Sequence, residues 1–178
     1  MNQRIQVVYW SKTGFTQWYA ERIAQALDCA AVDIRTVGRA QLLDCDTLIF
    51  GGRAHAGRLL GLSKGKKLAE KIGAKHFVVF ATGATPNRAE DTISAFWNNN
   101  LSAEELERIP HFYMQSGLRY EAMGLVDRLM MKGLSAMLRK KKDPTPEDLE
   151  MARRIASSSD YSSTEYIVPL VNHLKQET

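Results

Sequence analysis

The chain has 178 residues, of which 44% are hydrophobic and 25% charged, and its formal net charge is +4. This length and composition fit one domain with a sizeable core, and no stretch is apolar enough to predict a transmembrane helix. The N-terminus shows no signal peptide, and Cys29 and Cys45 lack metal-ligand spacing. We therefore expect a cytoplasmic protein without a metal site, whose cysteines are small core or edge residues.

Apolar runs and helical patterns alternate along the chain. Five apolar runs predict strands, at residues 5–9, 31–34, 47–50, 76–81 and 111–115. Four periodic segments predict helices, at residues 15–27, 62–72, 90–97 and 101–108. This alternation predicts an α/β fold, a three-layer α/β/α domain whose five-stranded parallel sheet has the order 2-1-3-4-5.

The chain beyond the fifth predicted strand is longer than such a domain needs. Residues 120–139 and 146–157 predict two helices, which form a helical insertion at about 119–158. Residues 163–175 predict the last helix. We therefore expect a single domain over residues 1–178 that carries one insertion.

Three local signals mark the boundaries in this region. Thr145-Pro146-Glu147-Asp148 supplies a cap, a first-turn proline and early acids, which predict a helix start. The serine-rich run 157–163 predicts an exposed loop. Pro169 is expected to kink the final helix.

The first predicted strand ends in a hydroxyl-rich turn, Ser11-Lys12-Thr13-Gly14-Phe15-Thr16, which opens directly into a helix. Gly14 permits close backbone approach, and the hydroxyls of Ser11, Thr13 and Thr16 are expected to point at one anion beside the exposed N–H groups of the helix N-terminus. This arrangement predicts a site for a phosphate dianion. Lys12 could pair with the phosphate or point to water, and we expect water. The alternative is an ordinary turn whose serine and threonines cap the helix.

The spacing Ser-x-Thr-Gly-x-Thr resembles the phosphate loop of flavodoxins. The resemblance implies a flavodoxin-like fold that binds FMN, with residues 11–16 at the phosphate. The loops after the third and fourth strands would then frame the flavin ring, because ligands bind at the carboxyl edge where strand order reverses. The ring-framing residues are Arg53, Ala54, His55, Ala56 and Gly57 in one loop and Thr82, Gly83 and Ala84 in the other.

The first of these ring loops differs from those of many flavodoxins, which have aromatic and acidic residues around the flavin. Arg53, His55 and Arg58 make it cationic. Cations stabilise an anionic reduced flavin, so we expect a raised reduction potential and two-electron chemistry. The alternative for Arg53 and Arg58 is a pair of solvated charges, and the alternative for His55 is a surface loop residue bonded to the backbone.

Residues 119–142 hold seven Lys or Arg residues against Glu121 and Asp127, so this segment carries a charge of +5 and the rest is near neutral. Apolar residues recur there at helical spacing in an unusually wide, methionine-rich stripe. Such a helix suits a peripheral contact with an anionic membrane, a homodimer contact or the protein's own core. The segment lacks interleaved aromatics, so we expect no nucleic-acid partner.

Residues 116–120 and 126–132 resemble the corresponding part of the menaquinone-dependent protoporphyrinogen oxidase branch of the flavodoxin-like superfamily. This second resemblance implies a quinone as electron acceptor, proximity to the inner face of the membrane, and Arg119 and Tyr120 near the exposed flavin edge. No catalytic side chain is assigned, because the flavin itself would carry the electrons. The alternatives are a small electron-transfer carrier that docks to a redox partner, and a flavin-free interaction module.

Overall fold

The computed structural model describes residues 4–38, 42 and 45–176 of the chain. Residues 1–3, on which the expectation of no signal peptide falls, lie outside the described residues. The strands of the sheet are β1 (Ile5–Tyr9), β2 (Ala31–Asp33), β3 (Thr47–His55), β4 (Arg58–Leu59), β5 (His76–Gly83) and β6 (His111–Gln115). Five of them are parallel in the order β2-β1-β3-β5-β6, and β4 pairs antiparallel with β3. With β4 set aside, this is the predicted flavodoxin-like order.

Helices cover both faces of the sheet. They are α1 (Phe15–Ala26), α2 (Leu62–Ile72), α3 (Glu90–Asn98), α4 (Ala103–Arg108), α5 (Leu125–Arg139), α6 (Pro146–Arg154) and α7 (Val168–Gln176). One core contains Ile49 and Val78 of the sheet with Ile23 of α1 and Leu170 of α7. Their strand neighbours point the other way, as the two-residue period of a strand requires, and pack against α2 and α3. The predicted three-layer α/β/α fold is confirmed.

The parallel register brings the carboxyl ends of the central strands to one edge of the sheet. Tyr9 pairs with Gly51, Arg53 with Thr82, and Gly83 with Gln115. The segments that follow β1, β3, β5 and β6 therefore emerge side by side.

β3 and β5 extend beyond the predicted ends of their strands. Gly51 pairs with Phe80, and a Cβ atom on Gly51 would lie 2.0 Å from the Phe80 ring, so glycine is required here inside a strand. β3 then turns back into β4 through Ala56 and Gly57, whose φ angles are 47° and 74°, as in a tight hairpin turn. The predicted loop 53–57 is thus mostly an ordered hairpin.

The insertion also differs in detail from its prediction. The expected helix over residues 120–139 divides into a 3-10 turn at Tyr120–Ala122 and α5, which begins after Gly124. The start signal of α6 is confirmed, because Thr145 Oγ1 accepts a hydrogen bond from Asp148 N at 3.1 Å and Asp148 Oδ2 accepts one from Thr145 N at 3.0 Å.

The predicted final helix over residues 163–175 is divided just before Pro169. A 3-10 turn at Thr164–Ile167 precedes α7, and Pro169 lies in the first turn of α7, where a missing N–H interrupts no helical hydrogen bond. A change from 3-10 to α-helical geometry next to Pro169 thus replaces the single helix that the sequence predicted. Both cysteines are free: Cys29 is half-buried and Cys45 is buried, in keeping with core or edge positions.

Candidate functional site

The segment from the end of β1 into the first turn of α1, residues 11–16, has the backbone of an anion site and is called the anion turn. Gly14 precedes α1 with a φ of 91°, and its N–H donates to Ser11 Oγ at 3.2 Å. No side chain caps the N-terminus of α1, and no acidic residue lies in its first turn. The alternative of a turn whose hydroxyls cap the helix is thus not what this helix shows. Its N–H groups are available to an anion.

The three hydroxyls of this turn have different roles. Ser11 is buried and accepts the hydrogen bond from Gly14. Thr16 is 2% exposed, and its Oγ1 lies 2.8 Å from Thr82 Oγ1, so it joins the turn to the end of β5. Of the three, Thr13 lines the neighbouring cavity. The expected convergence of all three hydroxyls on one anion is therefore incomplete, because Thr16 is engaged elsewhere.

A cavity of about 130 Å³ opens at the carboxyl edge of the sheet, beside this turn. Nine of the predicted site residues line it: Thr13, Phe15, Arg53, Ala54, His55, Ala56, Thr82, Gly83 and Ala84. The other predicted residues do not line it: Ser11, Lys12, Gly14, Thr16 and Gly57. The first four belong to the anion turn itself, whereas Gly57 is exposed at the tip of the hairpin.

The remaining walls come from residues that the sequence did not assign to the site. Ser116, Gly117 and Leu118 follow β6 at the same edge of the sheet, so the parallel topology could have indicated them. The roof is formed by four residues of the insertion, Met123, Asp127, Met130 and Met131. Their helical spacing was visible in the sequence, but nothing there showed which surface they cover.

Asp127 enters the site from α5 and meets three basic side chains. Its Oδ2 lies 3.0 Å from Lys12 Nζ and 3.4 Å from Arg53 Nη2, and its Oδ1 lies 3.9 Å from His55 Nε2. The hydrogen bond from Lys12, together with the charges of Arg53, Lys12 and His55, lowers the pKa of Asp127. Lys12 therefore pairs with a carboxylate, and the expectation that it points to water is wrong.

Arg58, the third cation of the predicted ring loop, is directed away from this cluster. It lies on β4 and donates from Nη1 to the Asn99 carbonyl oxygen at 3.3 Å. The cationic character of the cavity is thus carried by Arg53 with Lys12 beside it, and Asp127 offsets part of it.

Arg119 fastens the insertion to the anion turn. Its Nη1 donates to the Thr13 carbonyl oxygen at 3.1 Å, and its guanidinium carbon lies 4.3 Å from the centre of the Phe15 ring. Tyr120 instead donates its hydroxyl to the Ile155 carbonyl oxygen, and neither Arg119 nor Tyr120 lines the cavity. The two residues that resemblance placed together at the flavin edge therefore diverge.

The cavity offers groups that suit a flavin. Arg53 Nε is buried and has no hydrogen-bond partner among the described residues, so the cavity wall carries an unused donor. The volume is below the roughly 300–1,000 Å³ of a typical ligand pocket, so a full three-ring system requires the roof to shift outward. Methionine side chains, three of which form that roof, adapt readily to such a shift. The residues present fit FMN on these terms.

No cluster of His, Cys, Asp and Glu suited to a metal ion occurs within the described part of the chain. His111 Nδ1 lies 2.8 Å from the Ile109 carbonyl oxygen, a structural contact next to β6.

A family model, the flavodoxin domain, matches residues 6–145. The chain belongs to the flavodoxin domain family. The matched range includes the anion turn, both ring loops and α5, so this flavodoxin domain carries its candidate site within the family region. A comparison with curated proteins found no match.

Solved structures similar to this flavodoxin domain include a WrbA-like flavodoxin from Agrobacterium tumefaciens, with 17% identity, a TM-score of 0.45 and coverage of 99% of this chain and 100% of that chain. Oxidised Flavodoxin 2 from Bacillus cereus has 16% identity, a TM-score of 0.48 and coverage of 98% and 99%, respectively. The family assignment itself depends on the domain match.

Proposed function

We propose that this flavodoxin domain binds FMN and acts as an oxidoreductase that passes electrons through the bound flavin. One observation carries the proposal. The N-terminus of α1 has no side-chain cap, follows Gly14 in the left-handed conformation, and lies beside a cavity lined by residues 53–56 and 82–84. In this assignment the turn 11–16 holds the phosphate and the segments 53–56 and 82–84 hold the ring. FMN, when bound, supplies the electron-transfer chemistry.

The charges of the site support a raised reduction potential, though less strongly than the sequence alone suggests. Lys12 and Arg53 are permanent cations at neutral pH, and Asp127 opposes them with one negative charge. The local balance remains positive, which favours a flavin that becomes negative on reduction. We therefore retain two-electron chemistry as part of the proposal.

The roof of the cavity favours an enzyme over a small electron carrier. Met123, Met130 and Met131 present adaptable apolar surface to the space beside the ring loops. Such a surface suits a flat, apolar organic molecule, and a quinone acceptor of the protoporphyrinogen oxidase kind fits that description. A carrier that exchanges electrons with a protein partner has no need of an enclosed apolar roof.

The outer face of α5 supports a peripheral membrane contact. Leu125 and Val126 are each 78% exposed, Leu129 is 68% exposed and Met137 is 62% exposed. Arg128, Lys132 and Arg139 recur along one side of this apolar stripe, and residues 140–142 are all lysine. Apolar and basic surface together match an anionic bilayer, and self-association of α5 is the alternative. Among the described residues, no helix has the length and apolar character needed to cross a membrane.

The test is the visible absorption spectrum of the purified protein before and after FMN is added, with flavin fluorescence recorded in parallel. Bound FMN shows a perturbed flavin spectrum and quenched fluorescence at micromolar concentration or below. Absence of binding at micromolar FMN would refute the proposal and favour a flavin-free interaction module. Once binding is found, the protein is reduced with a chemical reductant and its reoxidation by a soluble quinone is followed. A rate that saturates with quinone concentration supports an enzyme with a quinone site, whereas a rate that stays linear supports a carrier.

A further inference from the structure

Asp127 is the one acidic side chain among the described residues that line the cavity. It belongs to the insertion, whereas the anion turn and ring loops belong to the α/β body. Its side chain is 15% exposed, so its charge is only partly screened by solvent. The insertion therefore contributes a defined negative charge to a site whose other charged groups are basic.

The partners of Asp127 come from both halves of the candidate site. Lys12 belongs to the turn that would hold the phosphate, and Arg53 and His55 belong to the hairpin that would face the ring. These contacts span 115 and 74 residues of sequence for Lys12 and Arg53, respectively. One carboxylate thus pairs with the same side chains that would otherwise stabilise negative charge on a flavin.

We propose that Asp127 is a positioning residue through which the insertion lowers the reduction potential of bound FMN. The inference rests on the proposed function. Uptake of two electrons and one proton adds a single negative charge to the flavin ring, and Lys12 and Arg53 stabilise that charge only as far as Asp127 leaves them available. Reduced flavin and Asp127 compete for these cations. Reduction of the flavin therefore weakens the docking of α5, and docking of α5 disfavours flavin reduction by the same free energy.

The test is a potentiometric titration of the FMN-loaded protein with a chemical reductant and a reference dye, followed by visible absorbance. In Asp127→Asn the ratio of the affinities for reduced and oxidised FMN should rise at least tenfold, a shift of about +30 mV for a two-electron couple. Asp127→Glu retains the charge and should stay within about threefold of the parent ratio. Asp46→Asn, which removes a carboxylate that pairs with Lys75 near the amino end of β3, is the matched control and should not shift the potential.

A ratio in Asp127→Asn within threefold of the parent would overturn the inference. An equal shift in Asp127→Glu would also overturn it, because the effect would then follow from altered packing and not from charge. Lys12→Gln provides an independent variant and should shift the potential in the negative direction, and a smaller effect of Asp127→Asn in that background would support the pairing. If the parent protein binds no FMN, the proposed function is refuted. If the parent binds FMN but the potential does not respond to Asp127→Asn, only the inference about Asp127 is refuted.

Discussion

Replacement of Gly14 by alanine tests the anion turn. Gly14 has a φ of 91°, and a Cβ atom there would lie 2.8 Å from Arg119 Nη1. The substitution therefore introduces two separate penalties. An L-residue with a side chain must adopt the left-handed conformation, and the Arg119 guanidinium must move away from the turn.

The magnitude follows from these two terms. The left-handed conformation costs roughly 1–2 kcal/mol for alanine. Displacement of Arg119 breaks its hydrogen bond to the Thr13 carbonyl oxygen, and a hydrogen bond from a charged donor contributes about 1.5–3 kcal/mol. The Arg119 side chain is 37% exposed, so we take the lower end of that range. The free energy of unfolding should fall by about 2.5–3.5 kcal/mol.

The measurement is urea unfolding of the parent and variant, with Gly73→Ala as the matched control. Gly73 has a φ of 67°, but a Cβ atom there would meet no atom within 4 Å, so its substitution incurs the backbone term alone. FMN affinity should fall at least tenfold in Gly14→Ala and stay unchanged in Gly73→Ala. Equal losses of stability in the two variants, within about 0.5 kcal/mol, would refute the role given to Arg119.

Three further predictions concern other parts of the molecule. Thr16→Val leaves the buried Thr82 hydroxyl without its partner and should lower the free energy of unfolding by about 1–3 kcal/mol, measured by urea unfolding. The Thr16→Val/Thr82→Val double variant removes both hydroxyls and should recover most of that loss. Equal losses in the single and double variants would contradict this account. Burial raises the pKa of Tyr19 and Tyr113 to about 12 from 10.0, so their contribution to stability is complete below pH 10 and is lost as the pH rises towards 12. Tyrosinate absorbance should show these two residues titrating after the others, and coincident titration of all six tyrosines would be evidence against the burial. Leu129→Glu on α5 should weaken sedimentation of the protein with anionic vesicles without changing its stability. Val168→Glu on α7, where Val168 is 49% exposed, should leave sedimentation unchanged. Equal effects of the two variants would argue against membrane contact through α5.

Most of the α/β fold could be predicted because its signals are local. The helix α2 and the strand β6 have the predicted bounds, since apolar periodicity and flanking glycine or proline coincide there. The predicted ends of the third and fourth strands, at residues 50 and 81, were too early, because β3 runs to His55 and β5 to Gly83. Gly51 and Gly52 are typical of a loop by propensity, yet the rings and backbone packed against them leave no room for a side chain.

The candidate site was only partly accessible in the same way. The anion turn lies within six consecutive residues, so its spacing carries the chemistry directly. The roof comes from a separate insertion, and the sequence left open whether that segment meets a membrane, a second copy or its own core. In the structure α5 divides these roles: Asp127 and Met131 line the cavity, and Leu125 and Leu129 are exposed to solvent.

The sequence by itself determined the order of strands and helices, the composition of the phosphate turn and the concentration of positive charge after residue 118, because each depends on residues that are neighbours in the chain. Only the tertiary structure decided which acidic side chain pairs with the basic residues of the candidate site. Asp127 and Lys12 lie 115 residues apart and show no pattern in common, yet the parallel sheet and the insertion bring them to 3.0 Å. Electrostatic pairing depends on distance in space, and that distance follows from the packing of the whole domain.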